Sequence, residues 1–259
     1  MKEGYKEEAL IRVENVHKSF AEHHVLKGVS TTIHRGETVA LLGGSGGGKS
    51  VLLKHMIGLL LPDQGEVYVN GQEISGFSER ELGEVRQHIG MMFQGGALFD
   101  SMSVFKNVAF PLIERGQRDR EEVERQVNEV LEVVRLDGMG DKMPSEISGG
   151  MRKRVALARA IIDKPSCVLY DEPHAGLDPI TADKIDHLMK NLQNDLGITN
   201  VVITHEMRSV FRVADRVIFM KEGLVYFEGT PEEMKTSEDP ELINFIEGNS
   251  GKEWEEERV

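Results

Sequence analysis

A glycine-rich segment of this chain has the residue types and spacing needed to bind phosphate groups. It consists of Gly43, Gly44, Ser45, Gly46, Gly47, Gly48, Lys49 and Ser50. Glycines allow consecutive backbone N–H groups to point into one concavity, and they allow a phosphate to approach closely. We expect a helix to begin at Lys49, with its ammonium group near the phosphates and the Ser50 hydroxyl on Mg²⁺. A flexible Gly/Ser linker is the alternative, but the segment lies between an apolar run and a helical pattern, which favours the phosphate loop.

A pair of acidic residues could supply the metal ligand and the base that such a loop requires. Asp171 and Glu172 directly follow the apolar run Cys167–Tyr170. In open α/β sheets, ligands bind beyond the carboxyl ends of the strands. Asp171 is therefore predicted to hold Mg²⁺, and Glu172 to activate the attacking water as a general base. Two solvated acids without function are the alternative.

A second site for an anion is predicted where Ser148, Gly149 and Gly150 precede a basic amphipathic helix over Lys153–Ile162. A serine hydroxyl and the free N–H groups at a helix start can bind phosphate. The chain would then contain two phosphate-binding segments.

The elements that must position these residues are strands and helices in alternation. Short, continuous apolar runs predict strands covered on both faces, at Thr38–Leu42, Cys167–Tyr170 and Val201–Thr204. Apolar residues at helical spacing predict one helix through Val123, Val127, Val130, Leu131 and Val134 and another through Ile185, Leu188, Met189, Leu192 and Leu196. Hairpins are predicted around Asn70-Gly71 and Glu222-Gly223. This alternation indicates an α/β fold.

Composition excludes several classes of protein. The chain has 259 residues, 29% of them charged, and a net charge of −13, which is unfavourable for binding nucleic acid. Its one cysteine excludes an internal disulfide and a zinc ribbon. No apolar stretch reaches the roughly 20 residues of a membrane span, and residues 1–8 lack the pattern of a secretory signal. We therefore expect a cytoplasmic protein.

Together these motifs resemble the ATP-binding-cassette (ABC) ATPases, whose signature is normally Leu-Ser-Gly-Gly-Gln. The resemblance extends from Leu10 to about Met234 and implies ATP and Mg²⁺ as cofactors. It also implies a P-loop NTPase fold with a parallel-sheet core, an antiparallel β subdomain and an inserted helical subdomain at about 96–160. The ATPase domain would span 1–248, followed by an acidic tail at 249–259. Four further roles are implied: adenine stacking by Phe20, contact with Mg²⁺ and water by Gln94, communication across a dimer by the Ala175–Asp178 loop, and γ-phosphate contact by His205.

Two positions depart from the family pattern. Val51 follows Ser50 where the family usually has threonine, so one hydroxyl near the nucleotide phosphates is missing. Met151 replaces the glutamine of the signature. Because the serine and glycines make the phosphate contacts, we expect Met151 to adjust the geometry of this site without abolishing it.

The resemblance also implies a mechanism. Two copies would pair head to tail, with each ATP held between the phosphate loop of one copy and Ser148 and Gly150 of the other. DNA-acting relatives have a coiled coil or zinc modules between these motifs, whereas here Lys49 and Ser148 are only 99 positions apart. Transport with a polytopic membrane permease is therefore favoured over a role on DNA or ribosomes.

The segment after Gln94 indicates which kind of transporter. Its GALFDS stretch, together with the Met-containing signature and the residues from Asp171 to Ile180, is similar to the ATPases of Mla/Mce-type phospholipid transporters. That similarity implies lipid transport between inner and outer membranes, with an Mce-domain lipid-binding protein and a small STAS-domain protein as further partners. The ATPase would be peripheral on the cytoplasmic face of the inner membrane. An ATPase of an importer for another solute is the alternative.

The acidic C-terminal tail contains Trp254, the only tryptophan of the chain. A large aromatic side chain gains stability by burial in a partner's pocket, so residues 251–259 are predicted to dock on the other ATPase or on the small partner. A solubilising end is the alternative.

Overall fold

A computed structural model describes residues 8–249 and contains two β-sheets with helices packed around them. The strands are β1 (Ala9–Phe20), β2 (His23–His34), β3 (Thr38–Gly43), β4 (Gln64–Val69), β5 (Gln72–Glu73), β6 (Ile89–Met92), β7 (Cys167–Asp171), β8 (Thr199–Ile203), β9 (Arg216–Lys221) and β10 (Leu224–Gly229). The helices are α1 (Lys49–Met56), α2 (Glu79–Arg86), α3 (Val104–Glu114), α4 (Arg120–Val133), α5 (Gly149–Ile161), α6 (Pro179–Leu196), α7 (Met207–Val213), α8 (Pro231–Lys235) and α9 (Pro240–Glu247).

The main sheet has the strand order β10-β9-β3-β8-β7-β6 and is parallel except for the β9–β10 hairpin. Its central strands are covered on both faces, as the continuous apolar runs predicted. In β7, for example, Cys167 and Leu169 pack into one core while Val168 and Tyr170 pack into another. This alternation of buried faces is what a strand needs when helices lie above and below the sheet.

Some element ends differ from their predicted positions. The third apolar run was expected at Val201–Thr204, but β8 begins at Thr199 and ends at Ile203. The two extra residues, Thr199 and Asn200, are polar yet buried, because both are hydrogen-bonded. Asn200 accepts from the Tyr170 hydroxyl at 3.1 Å and donates to Thr38 Oγ1 at 3.0 Å, and Thr199 Oγ1 accepts from the Gly36 N–H at 2.9 Å. The helix predicted from Lys153 starts earlier, at Gly149, because Ser148 caps it.

The smaller sheet is antiparallel and has the strand order β2-β1-β4-β5. Its predicted turn is present: Asn70 and Gly71 adopt φ angles of 52° and 77°, in the left-handed region that tight hairpins require. This sheet shares a core with α1 and with one face of β3, β7 and β8. The parallel core and antiparallel subdomain are therefore both confirmed.

In the stretch of chain between β6 and β7, α3, α4 and α5 pack on one another around a common core. They lie in the region where the inserted helical subdomain was expected, and the bounds of about 96–160 stay a prediction. No helix among residues 8–249 is long and apolar enough to span a membrane. The predicted docking tail at 251–259 lies outside the described residues.

Candidate nucleotide site

The phosphate loop connects the end of β3 to the start of α1, and its glycines are required by its geometry. Gly43 has a φ of 139°, and a Cβ there would lie 2.1 Å from the Met220 carbonyl oxygen. Gly46 and Gly48 have φ angles of 77° and 94°. A Cβ at Gly44 or Gly46 would meet no atom within 4 Å, so these glycines face open space. The loop thus leaves space beside its backbone at these two positions, as binding of a phosphate there would require.

The N-terminal end of α1 is suited to an anion. Its N-cap, Gly48, has no side chain to accept hydrogen bonds from the first turn. Serine, threonine or aspartate side chains accept those bonds at the starts of α3, α4, α5, α6, α8 and α9. The N–H groups of α1 therefore remain available for phosphate oxygens.

Lys49 lies inside the loop and points its ammonium group at the loop backbone. Its Nζ donates to the carbonyl oxygens of Gly43 and Gly44, both at 2.8 Å, and the residue is 7% exposed. Burial lowers the pKa of Lys49, and the nearby carboxylates of Glu172 and Asp171 oppose that shift. A cation held in this position can bind the β- and γ-phosphates.

Replacing Lys49 by alanine should weaken ATP binding and lower turnover together, because we expect its ammonium to contact phosphate already in the ground state. A loss of about tenfold or more in affinity is expected, the usual order for a charge-assisted contact. Equilibrium binding of ATP–Mg²⁺ to the purified variant measures this directly. Unchanged affinity would contradict the assigned role of Lys49.

The two residues predicted to hold Mg²⁺, Ser50 and Asp171, lie within hydrogen-bond distance of each other. The Ser50 hydroxyl lies 3.4 Å from Asp171 Oδ1, which brings the first turn of α1 to the end of β7. Mg²⁺ in phosphate sites is usually held by one or two protein oxygens plus phosphates and water. The pair therefore fits Mg²⁺, although residues 8–249 contain no cluster of three His, Cys, Asp or Glu that could hold a metal alone.

Glu172 and His205 form the other half of the site. His205 Nε2 lies 3.1 Å from Glu172 Oε1, and the Glu172 side chain is only 17% exposed. Burial raises the pKa of Glu172, while His205 and Lys49 act in the opposite direction. Glu172 also has a φ of 49°, a strained conformation for a non-glycine residue, and its N–H donates to Ile203 at 3.0 Å. This positive φ lies directly after the end of β7, at the residue that is predicted to act as the base.

Gln94 reaches the same edge of the sheet because it follows β6, the parallel neighbour of β7.

Phe20 is the residue that was predicted to stack on adenine. It ends β1 and is 46% exposed, and its ring lies 5.8 Å from the Lys18 ammonium. The two cavities beside the phosphate loop, of about 290 and 1060 Å³, are lined by His23 and Val25 but not by Phe20. Adenine stacking by Phe20 stays a prediction.

The signature segment forms the start of α5, with Ser148 as its N-cap. The Ser148 hydroxyl accepts a hydrogen bond from the Met151 N–H at 3.2 Å. A Cβ at Gly150 would lie 2.3 Å from the Thr181 methyl carbon, so only glycine allows α5 to contact the start of α6. Asp178 caps α6. Its carboxylate accepts a hydrogen bond from the Thr181 hydroxyl at 2.6 Å, and this bond lowers the pKa of Asp178. Among the described residues, neither Ser148 nor Gly150 lines the cavities beside the phosphate loop.

Val51, the first departure from the family pattern, is half-buried against the core beneath the antiparallel sheet. Its carbonyl accepts a hydrogen bond from His55 Nδ1 at 2.7 Å. The valine side chain therefore contributes packing where a threonine hydroxyl would add a polar group. Met151 is likewise partly buried, against the core of the helical region.

Sequence reasoning missed a buried polar network behind Glu172 and His205. His174 Nε2 lies 2.9 Å from Asp186 on α6, and His174 Nδ1 lies 3.2 Å from the hydroxyl of Thr204, the residue before His205. The Ser209 hydroxyl on α7 also donates to Asp186. In the sequence, the only indication of this network was that Asp186 interrupts the apolar face of its helix. The network joins the segments on either side of the site.

Comparison with known proteins identifies the family. A family model described as "ABC transporter" matches residues 26–175. The chain is 40% identical to the intermembrane phospholipid transport system ATP-binding protein MlaF of Haemophilus influenzae, over 93% of this chain and 91% of that protein. It is 38% identical to the sulfate/thiosulfate import ATP-binding protein CysA of Pectobacterium atrosepticum, over 93% and 73%.

A solved structure agrees with the fold. The dimeric post-hydrolysis state of the ATP-binding cassette MJ0796, bound to ADP and Pi, matches with a TM-score of 0.79 and 34% identity, over 85% of this chain and 98% of that one. The predicted fold, ATPase activity and cofactors, ATP and Mg²⁺, are thereby confirmed. The chain belongs to the ABC transporter family, as an ATP-hydrolysing member of it.

Proposed function

We propose that this chain is the ATPase of a transporter that moves phospholipid between the inner and outer membranes. The observation that supports it is the GALFDS stretch after Gln94, together with 40% identity to the phospholipid-system protein over nearly the full length of both chains. An Mce-domain lipid-binding protein and a small STAS-domain protein are the further partners in this proposal. The assembly would place the ATPase on the cytoplasmic face of the inner membrane.

The GALFDS stretch borders an apolar groove of about 490 Å³ in which aromatic residues are exposed. Phe93 and Phe99 are 39% and 40% exposed, and the Phe99 ring packs on Phe110 at 4.7 Å between centroids. Arg115 and Arg159 also line the groove. Exposed aromatic and arginine side chains are typical anchors of protein interfaces. We assign this groove to the permease.

We also propose how the site residues divide the work. Lys49, the backbone of Gly43–Ser50 and Val51 hold the nucleotide, while Ser50, Asp171 and Gln94 hold Mg²⁺, which neutralises phosphate charge when bound. Glu172 accepts the proton of the attacking water, and His205 orients Glu172 through their 3.1 Å contact. Ser148, Gly149 and Gly150 act on the nucleotide of the partner copy, with Asp178 at the junction between the copies.

An ATPase for the import of a small solute is the second candidate, because the sulfate/thiosulfate import protein is nearly as similar as the phospholipid-system protein. The two functions differ in the subunits they require. An Mce-domain protein belongs to the first, and a solute-binding protein belongs to the second.

Affinity purification from native membranes separates the two functions. The tagged full-length chain is solubilised in mild detergent, and its partners are identified by mass spectrometry. We expect a polytopic permease and an Mce-domain protein. Reconstitution in liposomes should then show ATP-dependent transfer of a fluorescent phospholipid, which Glu172→Gln abolishes. Recovery of a solute-binding protein, or ATP hydrolysis without lipid transfer, would contradict the phospholipid function.

A further inference from the structure

Lys153 is a buried residue of α5 whose ammonium group bridges two segments at the edge of the main sheet. It is 7% exposed, and its Nζ donates to the backbone carbonyl of Gln94 and, at 3.3 Å, to that of Glu172. These carbonyls belong to the two residues assigned to the metal and to the attacking water. The side chain thus contacts both halves of the catalytic machinery through their backbones.

The bridge lies just beyond the point where β6 and β7 stop pairing. Their ladder runs from the Ile89–Cys167 pair to the Met92–Tyr170 pair. Gln94 lies two residues after Met92, and Glu172 lies two residues after Tyr170. The positive φ of Glu172 turns the backbone out of the strand direction. Lys153 therefore connects the two segments beyond the last hydrogen-bonded pair of β6 and β7.

The same side of α5 also contacts the residues that follow Gln94. Arg159 donates to the carbonyl oxygens of Gly96 and Ala97 at 2.9 and 2.8 Å. A Cβ at Gly96 would lie 3.5 Å from the Ala156 methyl group. Positions 153, 156 and 159 are three apart and so lie along one side of the helix. Of the two cations, Lys153 is the one whose hydrogen bonds extend to Glu172.

We propose that Lys153 is a positioning residue for ATP hydrolysis, which fixes the backbone of Gln94 relative to that of Glu172. Because α5 begins at the signature segment, Lys153 also connects the helix that serves the partner's nucleotide to the catalytic side chains of its own copy. The inference rests on the proposed roles of Gln94, Glu172 and Ser148. It is independent of which substrate the transporter moves.

The variants Lys153→Gln and Lys153→Met test this, because the glutamine amide is uncharged and ends one bond short of the lysine ammonium, and methionine cannot donate at all. Misplacing a reacting group by about 1 Å can cost on the order of 100-fold in rate, so we expect kcat to fall about 10- to 100-fold. The KM for ATP should stay within about threefold, because the phosphate loop is untouched. Lys153→Arg, which keeps a donor for each carbonyl, should restore most of kcat.

The neighbouring residue on the helix provides a matched control. Arg154 is half-buried, and its guanidinium donates to the carbonyl oxygens of Val134 and Arg135 at 3.2 and 2.7 Å, on the other side of α5. Arg154→Met removes similar bonds without touching the site, so its kcat should stay within about twofold of the parent.

Each variant is assayed as the full-length chain, with thermal melting to confirm folding and Glu172→Gln assayed in parallel. A folded Lys153→Gln protein with parental kcat would overturn the inference, and so would equal losses in Lys153→Gln and Arg154→Met. If Glu172→Gln hydrolyses ATP normally, the assigned role of Glu172 is wrong whatever Lys153 does. The two failures are therefore distinguishable.

Discussion

Replacing Glu172 by glutamine is expected to lower the ATP hydrolysis rate by about 10²- to 10⁴-fold, the usual contribution of a general base. Glutamine has nearly the same shape but cannot accept the proton of the attacking water. ATP–Mg²⁺ binding should persist, because Lys49, Ser50 and the phosphate loop are unchanged. The variant should therefore accumulate as a dimer closed around uncleaved ATP.

Two measurements check this expectation: steady-state phosphate release, and size-exclusion chromatography with and without ATP–Mg²⁺. Glu73→Gln makes the same change of charge on an exposed residue of β5 and should leave both unchanged. Near-parental turnover by Glu172→Gln would rule out Glu172 as the base. Loss of ATP binding would assign it to the nucleotide site instead.

The parts of this site that the sequence predicted are those that depend on local chain geometry. The phosphate loop needs glycines at fixed positions, and Gly43 shows why, since a Cβ there would collide with the Met220 carbonyl. The start of α5 depends on Ser148, which lies next to the helix it caps. Local patterns of this kind are visible in a single sequence because the interacting residues are neighbours.

Contacts between distant segments could not be predicted in the same way. Lys153 lies 59 positions from Gln94, to whose carbonyl it donates, and in sequence it is one of several basic residues on an amphipathic helix. His174 and Asp186 are 12 positions apart and meet only because α6 folds back beside the site. The start of β8 was missed because Thr199 and Asn200 are polar, and their burial depends on partners elsewhere in the sheet.

The number of intact nucleotide sites should depend on whether a change in the phosphate loop and a change in the signature lie in the same copy or in different copies. In the proposed dimer, each ATP lies between Lys49 of one copy and Ser148 of the other. A heterodimer with Lys49→Ala in one copy and Ser148→Arg in the other should keep one intact site. With both changes in the same copy, both sites should be damaged.

A control is needed because Ser148 also caps α5, and loss of a cap costs about 0.5–2 kcal/mol of stability. Ser103 caps α3 in the same manner, accepting from the Lys106 N–H at 3.3 Å. Ser103→Arg should leave nucleotide binding between the two copies unchanged. If it did not, the loss in Ser148→Arg would reflect helix stability and not contact with ATP.

The number of ATP molecules retained per dimer tests the central claim, that each nucleotide site is built from two copies of this chain. Heterodimers are isolated with two affinity tags, and every copy also contains Glu172→Gln so that bound ATP is not hydrolysed. We predict one retained ATP per dimer when Lys49→Ala and Ser148→Arg are in different copies, and none when they are in the same copy. Equal retention in the two arrangements would contradict the composite site.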